Sequence, residues 1–135
     1  MKTIVIIITL MVLFIGPAQV EWNKTSDWQL YQIRGHGVFN YSIDTLKIFK
    51  SIPLDADSMK SYLNNAQIMK HDGSVAWMGG YVTTCKLEGV TRKIEISNYG
   101  GFFYDEITKE FYQVQDEKAN AWSAYLHHSY SKFIK

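Results

Sequence analysis

Between Thr91 and Val114 the chain reads TRKIEISNYGGFFYDEITKEFYQV, a stretch compatible with few folds. Thr91, Lys93, Glu95 and Ser97 alternate with Val90, Arg92, Ile94 and Ile96. Successive strand side chains point to opposite faces, so the alternation predicts a half-buried antiparallel strand with Ile94 and Ile96 inward. Lys93 and Glu95 then share the outer face, where a solvated ion pair of little energetic weight is expected. Asn98-Tyr99-Gly100-Gly101 breaks the pattern; its glycines permit positive φ or close backbone approach, so a turn or bulge belongs there. Phe102-Phe103-Tyr104 and Phe111-Tyr112-Gln113-Val114 flank a polar run from Asp105 to Glu110, the pattern of a hairpin with a polar tip. Five aromatics within 11 residues exceed what one face of a two-stranded ribbon buries. Some must be exposed or covered by a helix.

The remaining chain reads as pieces that cover this sheet. Glu21 to Asp27 is a polar, loose lead-in, and Trp28 to Ile33 is rich in strand formers. Arg34-Gly35-His36-Gly37 reads as a turn and Val38 to Ile43 as a return strand, giving a first hairpin. Thr45 to Ser51 fits either a short strand or one helical turn. Pro53 ends what precedes it. Asp55 or Asp57 then caps a helix over Ala56 to Ala66, with Asn64-Asn65 as its stop. Val75 to Leu87 is a long strand interrupted by Gly79-Gly80, and Glu88-Gly89 turns it tightly into the central strand. Asp116 is placed to cap a C-terminal helix whose Ala119, Trp122, Leu126, Tyr130 and Phe133 form an apolar stripe. Short strand connections indicate an α+β fold: a single domain with a curved antiparallel sheet of five or six strands and two helices packed on one face.

Residues 1–18 stand apart from that domain. Lys2 precedes an apolar run from Ile4 to Ile15, and Gly16-Pro17-Ala18 supplies small residues at a cleavage site. This run of twelve residues, interrupted only by Thr9, falls short of the roughly 20 that span a bilayer, so a cleaved signal peptide is expected, with no stable membrane anchor afterwards. The domain is 19–135, and the protein is exported, periplasmic or secreted. Removing Lys2 takes the basic count from 14 to 13, against 13 acidic residues. A neutral chain argues against nucleic acid as a partner, because that affinity rests on neutralising phosphates. Cys85 is the sole cysteine, so an intramolecular disulfide is impossible and the core must hold the fold.

Few residues point to chemistry. His127 and His128 are adjacent, and neighbours on a helix do not converge on one metal, so no metal site is expected. Cys85 alternates with apolar neighbours mid-strand, where a free cysteine behaves as a small buried hydrophobe. Turn formation and capping account for Asp105-Glu106 and Asp55/Asp57 without invoking paired catalytic carboxylates. His36, between two glycines, is the one histidine suited to a cryptic active site. No phosphate-binding loop or cofactor motif is present, and the chain reads as a non-enzyme that needs no cofactor. The aromatic content is the remaining signal: Tyr99, Phe103, Tyr104 and Tyr112 are the candidate binding residues for a protein or glycan partner. That reading predicts a contiguous exposed patch around Tyr99, Tyr104 and Tyr112. The alternative is an apolar-ligand pocket lined by Trp77, Tyr81, Phe102 and Trp122.

Overall fold

A computed structural model of the chain describes residues 20–34, 41–69, 80–98 and 101–134. Its strands are β1 (Ser26–Arg34), β2 (Ser51–Pro53), β3 (Gln67–Ile68), β4 (Gly80–Leu87), β5 (Val90–Ser97), β6 (Phe102–Asp105) and β7 (Glu110–Gln113). Among the described residues the helices are α1 (Ile43–Leu46), α2 (Ala56–Leu63) and α3 (Asp116–Ser131), with 3₁₀ turns at Trp22–Lys24 and Lys132–Ile134. The strands form one open antiparallel sheet in the order β2-β1-β4-β5-β6-β7-β3. The fold is therefore α+β, as expected. Among the described residues seven strands replace five or six, because β2 and β3, at the two edges, are three and two residues long. Such short runs carry no periodicity.

The β4–β5 hairpin sets the frame. Its register runs from Gly80↔Ser97 to Leu87↔Val90, and Glu88 (φ 53°) with Gly89 (φ 78°) makes the two-residue turn of positive φ that matches strand twist. This register directs Tyr81, Cys85, Ile94 and Ile96 to one face, where α2 and α3 cover them. Trp122 and Leu126 of α3 point inward as their spacing predicts. They meet Met59 and Leu63 of α2 and Trp28 and Leu30 of β1 in one continuous core. Gly101 (φ 69°) turns β5 into β6 beneath α3; a Cβ there would lie 2.6 Å from Val114 Cγ2 and 2.9 Å from the Ala119 Cβ.

Several local expectations are corrected. Glu21 to Asp27 is no loose lead-in: Trp22 is buried edge-on against Phe103 and Tyr112, and Thr25 is buried, donating to the Trp22 carbonyl. β1 pairs with β2 and β4, and Ile43 lies in α1 rather than in a return strand. Ser42 overrides the alternation by accepting the Thr45 N–H at 3.2 Å, the capping bond that starts a helix. Residues 35–40, which carry the rest of that expected hairpin and His36, lie outside the described residues, as do 70–79. Asp55 caps α2 through Ser58 as expected, but the helix ends at Leu63, and Asn65 (φ 64°) follows in the left-handed region. Gln115, not Asp116, is the N-cap of α3; Asp116 lies in the first turn, where its charge suits the helix dipole.

The second face of the sheet is covered too. Leu46 of α1 packs on Ile33 and Val82, with Tyr31, Tyr41 and Phe49 around them. Residues 41–50 thus form a strap over this face, which makes the centre of the sheet a middle layer.

Candidate functional site

The expected aromatic patch does not form as one surface. Phe103 and Tyr112 pair across β6 and β7, and their register with Ile96 places both on the helix-covered face. There they stack at 5.1 Å with their planes 10° apart, and Trp22 and Trp122 close on them edge-on. Phe103 is 0% and Tyr112 2% exposed. Both are core residues, a correction to their candidacy as binding residues. Tyr104 lies on the opposite face, half-buried against Phe111 at 4.8 Å, and Tyr99 is outside the described residues. One residue of register separates the two pairs, and strand alternation sends them to opposite faces.

The expected ligand-pocket residues are divided the same way. Tyr81 and Trp122 are buried under the helices, Phe102 belongs to the other face, and Trp77 lies outside the described residues. Cys85 is buried as expected, and burial pushes its thiol up to about 12. Asp105 is no tip residue: it is buried, bonded by Arg92 Nη2 at 3.0 Å, the Ile107 N–H at 3.1 Å and Thr108 Oγ1 at 3.1 Å. It organises the β6–β7 turn.

Lys93 and Glu95 depart furthest from expectation. The pair is on the outer face as the alternation requires, yet each side chain is 1% exposed. Lys93 Nζ lies 3.0 Å from Glu95 Oε1 and 3.0 Å from Glu106 Oε2, and it donates to the Tyr41 carbonyl of the strap. Glu95 Oε2 is buried without a hydrogen-bond partner, and burial pushes this carboxyl up to about 7 despite the lysine beside it. Lys93 and Glu95 are sealed while Glu106 reaches the surface, and the contact to Tyr41 pins the strap to the sheet.

An accessible polar site lies elsewhere, where the end of β1 meets the flank of α3. Arg34, Tyr81 and Asn98, with Asn120, Ser123, Ala124 and His127 of α3, line an open cleft of about 450 Å³. Arg34 closes β1 opposite Tyr81, which packs against Tyr130 at 5.8 Å. The Arg34 guanidinium carbon lies 4.7 Å from the Tyr81 ring centre and 5.4 Å from that of Tyr130, within cation–π range of both. Its Nη2 donates to Asn98 Oδ1 at 3.0 Å, and Ser123 Oγ donates to the Asn98 carbonyl at 3.4 Å. Among the described residues no acidic side chain lines this cleft, and Arg34 has no carboxylate partner.

A larger cleft at the other end of the sheet, about 570 Å³, contains Val90 and Ile107, which are 53% and 49% exposed. Its cations are already committed, Lys24 to Glu21 at 2.6 Å and Arg92 to Asp105 at 3.0 Å. Of these two clefts, that of Arg34 keeps a cation without a counter-charge among the described residues. Sequence reasoning assigned Arg34 to a turn and Asn98 to a corner. The readable signal was the polar stripe Asn120, Ser123 and His127, which runs beside the apolar stripe of α3. Among the described residues no group of three or more His, Cys, Asp or Glu side chains could hold a metal ion. No helix among them is long and apolar enough to cross a membrane.

The chain matches no protein-family model, no curated protein and no solved structure.

Proposed function

We propose that this is an exported, non-catalytic domain that binds another macromolecule, and that it does so through the Arg34 cleft. The observation that carries the reading is a guanidinium seated on two tyrosine rings, with neither a carboxylate partner nor an acidic cleft wall among the described residues. Seating on the rings restricts the rotamers of Arg34 before any partner arrives, so little side-chain freedom is lost on binding. Export rests on the leader with Lys2, Ile4 to Ile15 and Gly16-Pro17-Ala18. The non-catalytic reading is supported by Cys85, a buried thiol held protonated and so unlike the thiolate that nucleophilic catalysis uses.

Site-specific photo-cross-linking tests the proposal. A benzophenone amino acid replaces Ala124 in the cleft wall or, as control, Lys47 on the strap. Irradiation in envelope extract of the source cell should give a defined macromolecular adduct from position 124 and none from position 47. Equal labelling from both positions, or no adduct from 124, would remove the cleft as the binding site.

A further inference from the structure

On the reading that the Arg34 cleft is the binding site, we infer that its ligand is an acidic sugar residue of a glycan, held by its carboxylate. A guanidinium offers five N–H donors in a planar fork that matches a carboxylate bidentately. Arg34 gives one of them to Asn98, and the two tyrosines brace the group from the protein side. The buried Tyr81 ring beneath it also keeps water from one side, which strengthens an ion pair formed there.

The charge of the site selects the class of anion. One arginine suits a singly charged carboxylate, whereas phosphate sites gather several cations or a row of backbone N–H groups at a helix start. The α3 wall of this cleft begins at Asn120, past the first turn of the helix. The rest of the lining separates a sugar from a peptide C-terminus. Capture of a chain end uses a nest of backbone amides with pockets for side chains. Here the wall presents the Asn120 amide, the Ser123 hydroxyl and the His127 imidazole, with Ala124 as its small apolar member. Those groups donate to and accept from hydroxyls. The cleft volume also falls within the range of about 300 to 1,000 Å³ usual for small-ligand sites.

Two-dimensional ¹⁵N NMR titration distinguishes failure of this inference from failure of the binding reading. The probes are a glucuronate-containing oligosaccharide, its neutral glucose counterpart and an acetylated dipeptide with a free C-terminal carboxylate. The glucuronate probe should move the amides of Asn98, Asn120, Ser123 and His127, and bind at least about tenfold more tightly than either control. Arg34→Gln should weaken it about tenfold or more, the loss expected for a charge-assisted contact. Asn120→Asp, on an exposed helix position, sets a carboxylate against the ligand and should weaken binding while leaving the rest of the spectrum in place. Equal binding of the neutral sugar would overturn the carboxylate assignment and leave the cleft as a glycan site. Tighter binding of the peptide would overturn the sugar. No cleft amide moving with any probe would overturn both this inference and the reading beneath it.

Discussion

Lys93 has three N–H donors, and Glu95, Glu106 and Tyr41 take all three. Burial raises the pKa of Glu95 despite the ammonium beside it, and the Glu106 carboxylate that shares that ammonium adds to the rise. A carboxyl raised from 4.5 in the unfolded chain to about 7 in the fold binds its proton more tightly when folded. Its stabilising contribution is complete below about pH 4.5 and is lost as pH rises through about 7. Over that window the loss amounts to at most about 3 kcal/mol. Asp55, held low by its bonds from Ser58, titrates beneath the window; the phenols of Tyr104, Tyr112 and Tyr130, raised by burial, titrate above it. Glu95→Gln should therefore flatten the fall in melting temperature between pH 5 and pH 8, measured by calorimetry, and an unchanged slope would show that another group is responsible. Lys93→Ala should cost more in urea denaturation at pH 8 than at pH 5, because only the ionised Glu95 needs the ammonium beside it. The alternation identified the face of this pair correctly and its burial wrongly. Alternation reports only what lies to either side of a strand, and the covering strap comes from about 50 residues earlier.

At the scale of elements, the β6–β7 hairpin was legible almost to the residue, as were the β4–β5 turn and the inward stripe of α3. Each is specified by neighbours a few positions apart. Which hairpin aromatics are covered was not legible, because it depends on the register of β6 against β5 and on Trp22 and Trp122 arriving from opposite ends of the chain. Tyr112→Ala should cost about 3 to 5 kcal/mol by urea denaturation. Tyr104→Ala, on the other face and half-exposed, should cost clearly less; equal costs would contradict the assignment of faces. The Gly101 corner is as specific. Gly101→Ala combines a positive φ with an approach under 3 Å to Val114 and Ala119, and should cost about 2 to 4 kcal/mol. A neutral effect in the same denaturation assay would mean that α3 does not press on this corner.

Across the whole molecule, one core runs from Trp22 to Leu126, and the two longer helices are tied to each other. Tyr125 OH accepts the Asp55 N–H at 2.8 Å, and Lys118 Nζ donates to the Ser61 carbonyl at 2.7 Å. Helix content by far-ultraviolet circular dichroism and core packing by tryptophan fluorescence should therefore be lost in a single coincident urea transition. Separate midpoints would mean that α3 detaches before the sheet unfolds. By itself the sequence determined the fold class, the central antiparallel hairpins and both longer helices, because apolar spacing, turn glycines and capping side chains act over a few residues. The tertiary structure alone decided that Lys93 and Glu95 are sealed under a strap and that Phe103 and Tyr112 are core. It alone seats Arg34 on Tyr81 and Tyr130 beside the polar flank of α3. Those outcomes depend on long-range register and on elements far apart in the chain, and no local pattern encodes which distant segment will cover a given face.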